Sequence, residues 1–416
     1  MRLAPASLAA ALLVALVAPA HSSTWTPQTS PTTDALNGVA WSDSSTWVAV
    51  GDFGTIIRST DAGISWGPVT SPVGDQLHGV ALRGNLGLAV GVGGRILRST
   101  DAGASWTVVA RPTTKILFAA SIADSFAVIT GEEGRIFYSL DQGLTWTPTF
   151  AGTGSALFGV SANGNSAVAV GGAGAVAMSP GSKGSGWGLT VIGTQLTFFY
   201  GMSLITPATG WLVGTSDVRP SIVARTDDGG FVWSAQTAPS ADQLFGVSFY
   251  SITQGTAVGG TGTIIHTEDG GAHWLSEPSG VTEILHGVSF IPSGLGIAVG
   301  GAGTILRAMP DVVTGVGPGP ALAPRPGIRV LGDPVRGSAS ARFAVSLTAA
   351  APVSLRVLDT AGRVVATLVE RSLPRGTHEF VWAGPNDRGA RAPAGIYFAQ
   401  LRAGEERASA RFVILD

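Results

Sequence analysis

A serine, an aspartate and a glycine stand at alternate positions before a tryptophan in RSTDAGISW, residues 58–66. A carboxylate beside a hydroxyl on a glycine turn could do chemistry, because the carboxylate can take up a proton and the hydroxyl can attack a substrate. The same pattern returns about forty residues later as RSTDAGASW, residues 98–106. The segment is therefore either a site used twice or a structural part used many times.

The pattern [S/T]-x-D-x-G-x-x-W favours a structural part. Asp and Ser side chains can accept hydrogen bonds from backbone amides in a turn, and glycine supplies the positive φ that tight turns need. Tryptophan then packs as a large apolar wedge. An active site is normally assembled once, whereas this motif occurs five times, and a degenerate copy in residues 179–187, SPGSKGSGW, has lost the aspartate. The intact copies are Ser59, Asp61, Gly63 and Trp66; Ser99, Asp101, Gly103 and Trp106; Ser139, Asp141, Gly143 and Trp146; Thr226, Asp228, Gly230 and Trp233; and Thr267, Asp269, Gly271 and Trp274.

The elements that position these motifs form a repeat with a period of about forty residues. Each unit begins with an apolar anchor, continues with a small-residue strand ending in glycine, and closes with a third strand and the tryptophan motif, after which a fourth strand follows. Four short strands in a unit of this length predict a propeller blade. The anchors that start the seven units are Leu36, Leu77, Leu117, Leu157, Phe199, Leu244 and Leu285.

The two ends of the repeat region complement each other. The seventh unit lacks a tryptophan, whereas residues 24–39, TWTPQTSPTTDALNGV, align with residues 145–160, TWTPTFAGTGSALFGV. We therefore expect the segment around Trp25 to provide the outer strand of blade seven, which would hydrogen-bond an otherwise open sheet edge and close the ring.

The tryptophan motif resembles the Asp-box, or bacterial neuraminidase repeat. Its setting in G-x-x-G-[TR]-I-[IL]-R-S-T-D-A-G-x-S-W, after the GV and AVG strands, resembles the photosystem II stability/assembly factor family of seven-bladed propellers over residues 24–310. The resemblance implies a non-enzymatic, extracytoplasmic scaffold that binds a membrane-protein assembly intermediate. It also implies arginines on the third strands, where this chain has Arg58, Arg98 and Arg307 but Tyr138, Met178 and His266 in other blades.

Composition sets further bounds. Of the 416 residues, 45% are apolar and 12% charged, with 59 glycines and no cysteine. Such a profile favours short strands joined by tight turns, and it excludes disulfides and thiolate metal sites. The formal net charge is −2. The basic residues do not form the concentrated positive surface that binding to phosphates requires, so no nucleic-acid partner is expected.

The domain organisation follows from shifts in composition. Residues 1–20 contain one early arginine, an apolar run and the cleavage-like sequence APA, which predicts a secretory signal peptide and an exported protein that is extracellular, at the cell surface or periplasmic. Residues 21–310 hold the propeller. The Pro/Gly-rich stretch 311–326 predicts an extended linker.

Residues 327–416 show six or seven alternating apolar runs separated by turn clusters, which predicts an immunoglobulin-like β-sandwich. The sequence resembles the flagellar hook-capping-type immunoglobulin-like domain and the type IX secretion C-terminal sorting domain, with the match carried by Gly376, Trp382, Gly395, Tyr397 and Phe398. The resemblance implies a domain for sorting or surface anchoring that engages export machinery. A passive spacer is the alternative.

The sequence offers few candidate residues for an enzymatic active site. A sialidase needs an arginine triad and a nucleophilic tyrosine, and the tyrosines are only Tyr138, Tyr200, Tyr250 and Tyr397. A pair of carboxylates from different strands, as in other glycosidases, stays open as an alternative. The histidines show no metal-ligand spacing, and the glycine clusters recur in each blade as turns, so we predict no catalytic residue, metal or cofactor.

One face of the ring is the remaining candidate for binding. The loops that lead into the seven inner strands carry Asp34, Asp75, Lys115, Ser155, Thr197, Asp242 and Glu283 two residues before each anchor. The residues directly after each anchor are Asn37, His78, Phe118, Phe158, Tyr200, Phe245 and His286. An acidic rim around an aromatic and histidine mouth could bind a protein, cationic or glycan ligand, with Asp34, Asp75, His78, Tyr200, Asp242, Glu283 and His286 as the candidate residues. The alternative is that the acids are solvated and the aromatics pack between blades.

Overall fold

The computed structural model describes residues 24–240, 242–309, 327–331, 335–336, 341–347, 350–359, 363–382, 392–393, 395–404 and 406–415. The predicted signal peptide and the predicted linker lie outside these residues. Contacts divide the chain into two compact units with the boundary between Thr314 and Gly315. The described residues contain strands and 3-10 turns, and none of them forms a helix long and apolar enough to cross a membrane.

The first unit is made of seven four-stranded antiparallel sheets. In blades one to six the four strands follow one another along the chain and pair in that order. Their bounds are, in blade one, β2 Leu36–Trp41, β3 Trp47–Gly51, β4 Ile56–Ser59 and β5 Gly67–Pro68; in blade two, β6 Leu77–Arg83, β7 Leu86–Gly91, β8 Ile96–Ser99 and β9 Thr107–Val108; in blade three, β10 Leu117–Ile122, β11 Ala127–Gly131, β12 Arg135–Ser139 and β13 Thr147–Phe150; in blade four, β14 Leu157–Asn163, β15 Ser166–Gly171, β16 Ala175–Ser179 and β17 Gly188–Val191; in blade five, β18 Phe198–Leu204, β19 Gly210–Thr215, β20 Ile222–Thr226 and β21 Ser234–Gln236; and in blade six, β22 Leu244–Phe249, β23 Gly255–Gly259, β24 Ile264–Thr267 and β25 Leu275–Glu277.

Blade seven joins the two ends of the repeat region. Its sheet order is β1-β28-β27-β26, with the bounds β26 Leu285–Phe290, β27 Gly296–Gly300, β28 Ile305–Met309 and β1 Thr24–Pro27. Thr26 pairs with Arg307 as Gly67 pairs with Arg58, so Trp25 takes the register of Trp66. The inner strands contact one another in succession, and β26 contacts β2. The chain therefore closes the ring as the alignment of its ends predicts.

The second strand of each blade is buried on both faces. On β3, Trp47 and Ala49 pack towards Ile297 of blade seven, whereas Val48 packs towards Leu97 of blade two. Because both faces meet a neighbouring blade, the strand reads as a continuous apolar run and not as an alternation. The core of the ring is thus a set of layers between adjacent blades.

The second unit contains two sheets. The strands are β29 Gly327–Leu331, β30 Val335–Arg336, β31 Ala341–Leu347, β32 Ala351–Leu358, β33 Val364–Leu373, β34 Gly376–Trp382, β35 Gly395–Ala403 and β36 Glu406–Leu415. One sheet has the order β29-β31-β34 and the other β30-β36-β35-β32-β33. Alternate residues such as Phe343 of the first sheet and Leu355 and Leu401 of the second form one shared core, as in a sandwich.

Candidate binding face

Strand direction assigns every connection of the propeller to one of two faces. Each inner strand begins where the second strand ends, as shown by the pairing of Leu36 with Gly51. The loops that lead into the inner strands therefore share a face with the Gly turns between the second and third strands, and we call this the ring face. The first hairpin of each blade and the tryptophan motif share the opposite face, which we call the box face.

The tryptophan motifs on the box face are hydrogen-bonded turns. In the first, Ser59 donates to Asp61 at 2.8 Å and accepts from the Gly63 amide at 2.9 Å, while the two Asp61 oxygens accept from the Ser65 amide and hydroxyl. The indole nitrogen of Trp66 donates to the Gly63 carbonyl at 3.1 Å. The hydroxyl, carboxylate and glycine contacts recur in all five intact copies.

These bonds change the acidity of the carboxylates. The hydroxyl and amide of Ser65 lower the pKa of Asp61 to about 2, and Thr145 does the same for the pKa of Asp141. Each bond favours the charged carboxylate, so the aspartate is held as an acceptor and is poorly suited to donate a proton. In the degenerate fourth copy the hydroxyl of Ser182 lies 2.5 Å from that of Ser179 and takes the place of the carboxylate.

Arginines on the third strands connect neighbouring blades. The Nε of Arg58 donates to the Ala102 carbonyl of the next tryptophan motif at 2.9 Å. Arg98 reaches Gln142 and Arg307 reaches Ala62 in the same way, both at 2.7 Å. The side chains that the family resemblance implies as an arginine cluster thus make structural bonds from blade to blade.

A β-bulge in each inner strand builds the ring face. The pairing of every inner strand with its neighbour skips the residue after the anchor, for example Asn37 between Leu36 and Gly38. A bulge leaves one residue unpaired and turns its side chain away from the regular alternation. The same skip occurs in all seven blades at Asn37, His78, Phe118, Phe158, Tyr200, Phe245 and His286.

We call these seven residues the axial ring, and the six from His78 to His286 contact one another in succession. Ring centroids are separated by 5.4 Å for His78 and Phe118, 5.1 Å for Phe118 and Phe158, and 5.5 Å for Phe158 and Tyr200. The series continues at 5.2 Å to Phe245 and 6.4 Å to His286. All these spacings lie within the range of favourable aromatic contacts.

Polar contacts complete the circle between its two ends. Nδ1–H of His286 donates to the Leu36 carbonyl at 3.2 Å, and the Asn37 amide donates to the Leu77 carbonyl at 3.0 Å. The series of contacts therefore runs around all seven blades, with the two links at Asn37 made through the backbone carbonyls of the anchors Leu36 and Leu77. Each member of the axial ring is only half-buried.

Glycine after the bulge allows this close succession. A Cβ on Gly79 would lie 2.6 Å from the Phe118 carbonyl oxygen, and one on Gly159 would lie 2.6 Å from that of Tyr200. These distances are too short for any larger residue. Phe118 and Tyr200 therefore depend on a glycine of the preceding blade, whereas blade three has Ala119 at the same position before Phe158.

The two sides of the axial ring differ in chemistry. Phe118, Phe158, Tyr200 and Phe245 form an aromatic arc, whereas His286, Asn37 and His78 form a polar arc. Burial raises the pKa of the Tyr200 phenol, so its hydroxyl stays protonated.

Asp52 lies behind the polar arc. One of its oxygens accepts from the Asn37 amide at 2.9 Å and from Gln76 at 2.6 Å. Burial lowers the pKa of His78 although Asp52 opposes the shift, so His78 is neutral at pH 7. Its Nε2 is buried and has no hydrogen-bond partner among the described residues.

The rim residues, which stand two positions before each anchor, mostly form hydrogen bonds or ion pairs within their own blades. Asp34 accepts from Thr55 at 2.7 Å, Asp75 pairs with Arg95 at 2.5 Å, and Asp242 accepts from Thr261 and Thr263. Each of these partners belongs to the Gly turn of the same blade or follows it directly. Lys115 pairs with Glu133, Thr197 is buried, Ser155 is half-buried, and Glu283 is exposed. Three of the four acids, Asp34, Asp75 and Asp242, therefore brace their loops, and Glu283 is the exposed one.

The sequence analysis did not identify three residues that make contacts between blades. Asp52 and Gln76 bond to each other across blades one and two, and no spacing in one sequence reveals such a pair. Arg225, whose Nη1 lies 3.3 Å from the Gly270 carbonyl, precedes Thr226 as Arg58 precedes Ser59, so alignment of unit five could have found it. Among the described residues no group of three or more His, Asp or Glu could hold a metal ion.

Comparison with known proteins bears on both units. The family described as photosynthesis system II assembly factor YCF48 matches residues 17–187. The solved structure "YCF48 bound to D1 peptide" aligns with a TM-score of 0.57 and 20% identity, covering 71% of this chain and 100% of that one. The propeller is similar to YCF48. YCF48 from Cyanidioschyzon merolae gives the same TM-score and identity, with 70% and 99% of the two chains covered.

Other matches are more distant or local. The WD40 propeller of Doa1 aligns at a TM-score of 0.55 with 10% identity, over 70% of this chain and 98% of that one, so the likeness is one of fold. The FlgD Ig-like domain family matches residues 332–406. A search of curated proteins found no significant match. The predicted all-β fold, a seven-bladed propeller followed by an immunoglobulin-like sandwich, is thereby confirmed.

Proposed function

We propose that this protein is an exported, non-enzymatic scaffold whose propeller binds a segment of a partner protein across the axial ring. The observation that carries the proposal is the unbroken series of seven bulge residues on the ring face. Seven separate bulges place these half-buried side chains together on one face, in addition to the packing between blades that the second strands provide.

The two arcs suit a polypeptide. Apolar side chains of a ligand can pack on Phe118, Phe158 and Phe245, while its backbone groups can hydrogen-bond to the polar arc. The Nε2 of His78 lacks a hydrogen bond and is covered by its neighbours, so a ligand reaches it only when the imidazole turns outwards. A buried polar atom without a hydrogen bond costs about 1–3 kcal/mol, and that cost favours such a turn. Binding sites commonly combine an apolar surface with a few such polar groups.

Hydrolysis of a glycan is the less favoured function. A glycosidase needs two carboxylates placed on either side of the scissile bond. Asp34, Asp75 and Asp242 instead accept hydrogen bonds or pair with cations inside their own blades. A glycan that is bound without hydrolysis would occupy the same ring face. The peptide-selection and crosslinking experiments described below distinguish a protein ligand from a glycan.

The structure of YCF48 with a D1 peptide supports a protein ligand for the related fold. By analogy we propose that the partner of this chain is an assembly intermediate of a membrane protein. We also propose that the C-terminal unit, which is similar to the FlgD Ig-like domain, sorts the exported protein or anchors it at the cell surface.

A library of random peptides displayed on phage tests the proposed function. Peptides selected on the intact protein should be enriched in apolar residues. They should bind at least tenfold more weakly to Phe158→Ala, because one ring of the aromatic arc is lost. The matched control is Leu144→Ala on the box face, whose side chain is 57% exposed. Equal binding by both variants, or turnover of fluorogenic glycosides by the intact protein, would contradict the proposal.

A further inference from the structure

The outer face of the larger sheet in the C-terminal unit carries a polar groove. It has a volume of about 670 Å³ and spans the three adjacent strands β33, β32 and β35. Among the described residues that line it are Arg356, Arg371 and Arg402 and one acid, Glu370. Arg371 is paired with Val353 and so belongs to the other face by register. On the outer face, the two guanidinium groups of Arg356 and Arg402 exceed the one described carboxylate, Glu370, so the described charge is positive.

The strand alternation fixes which side chains lie in this groove. On β32, Val353 and Leu355 point into the core, whereas Ser354 and Arg356 lie on the outer face. Ser354 is directly opposite Arg402 on β35, and Arg356 is opposite Gln400. Directly paired residues share a face of the sheet, so two guanidinium groups, a hydroxyl and an amide lie side by side.

Arg356 is not fully satisfied by its ion pair. One Nη donates to Glu370 at 3.1 Å, but its Nε is buried and has no acceptor among the described residues. The Nε is enclosed, so a ligand meets the exposed part of the guanidinium, which is 41% accessible as a side chain. A guanidinium is best matched by a carboxylate that can take two parallel hydrogen bonds. The ligand chemistry indicated is thus an anion with planar oxyanion groups.

The form of the groove narrows the class of ligand. Its volume is within the range of about 300–1,000 Å³ for sites that hold organic ligands, so it is larger than one inorganic ion needs. The described residues of the lining include no aromatic side chain, and Pro352 and Val353 are the apolar ones among them. The backbone of β32 is paired on both sides, so recognition must use side chains. A peptide cannot add to β32 as a further strand, and the hydroxyl of Ser354 and the amide of Gln400 lie beside the two arginines. This combination favours a polyhydroxylated acidic ligand over an acidic peptide.

We propose that this groove, which we call the arginine groove, binds an acidic polysaccharide. Carboxylates of successive sugar units pair with Arg356 and Arg402, and sugar hydroxyls bond to Ser354 and Gln400. Glu370 limits affinity by competing for Arg356. The proposal is independent of the function of the axial ring.

The probe is an oligomer of galacturonic acid, with a neutral glucose oligomer and poly-glutamate for comparison, measured by calorimetry on the full chain. We expect salt-dependent binding of the oligouronate and weaker or no binding of the other two. Arg356→Gln and Arg402→Gln should each weaken binding about tenfold or more, whereas Glu370→Gln should strengthen it.

The matched control is Arg342→Gln, because Arg342 also forms a surface ion pair but belongs to the other sheet. It should leave oligouronate binding unchanged. The proposal is overturned by an absence of oligouronate binding, by equal binding of poly-glutamate, or by an equal loss in Arg342→Gln. Normal heat-induced unfolding of each variant ensures that a lost signal reports the groove and not the fold.

Discussion

At the residue scale, the aspartate that could have been catalytic is a turn acceptor. Asp61 takes hydrogen bonds from Ser59 and from both the amide and the hydroxyl of Ser65. The motif also occurs in blades whose axial-ring residues differ, such as Asn37 in blade one and Phe118 in blade three. We infer that its role is to hold the box face, which leaves the ring face for binding.

The acidity of Asp61 gives a test of this role. Its pKa of about 2 lies below the ordinary value of 3.8, so the unfolded chain takes up the proton first as the pH falls. The stabilisation is complete above about pH 4 and is lost as the pH falls towards 2. Asp61→Asn should be less stable than the wild type at pH 7 and should lose less stability between pH 4 and 2, as measured by urea unfolding. Parallel pH profiles for the two proteins would contradict the assignment.

Much of this motif could be predicted from the sequence because its bonds are local. Ser59, Asp61 and Gly63 lie within five residues, so their types and spacing already specify the turn. Asp52, Gln76 and the orphaned nitrogen of His78 could not be predicted, because their contacts join different blades.

At the element scale, the first strand of the propeller is held by a buried polar contact. The indole nitrogen of Trp25 donates to Glu277 Oε2 at 2.8 Å, and Nδ1 of His266 lies 3.1 Å from Oε1 in a geometry poorly aligned for a hydrogen bond. All three residues are buried. Glu277 thus ties the edge of blade six to the strand that closes blade seven.

Removing that acceptor should loosen the closure. Glu277→Leu leaves the Trp25 nitrogen buried without its acceptor, so we expect the free energy of unfolding to fall by about 1–3 kcal/mol in urea titrations. Thr24→Ala, on the same strand but exposed, should change it by less than about 0.5 kcal/mol. Equal effects of the two changes would show that Glu277 does not hold the strand.

The closing strand was predictable, whereas the bulges were not. Trp25 repeats the letters of an internal unit, and a repeat is visible in one sequence. A bulge is a property of the register between two strands, and LNGV or LFGV is equally compatible with regular pairing. The sequence therefore identified the members of the axial ring without showing that they contact one another.

At the scale of the whole molecule, the two compact units suggest separate tasks. The propeller presents the axial ring, and the C-terminal unit presents the arginine groove on a sandwich of its own. If the C-terminal unit directs sorting or anchoring, deletion of residues 327–416 should leave the propeller folded but displace it from the cell surface. Surface labelling and fractionation of the producing cells would measure this, and unchanged surface display would contradict a sorting role.

The central claim is that the axial ring contacts a partner protein. Its most direct test is site-specific photo-crosslinking in the producing cells, with a photoreactive phenylalanine analogue at Phe158 and, in a parallel strain, at Leu144. We predict one defined protein adduct from position 158 and none of that adduct from position 144. The same adduct from both positions, or no protein adduct from position 158, would contradict the account.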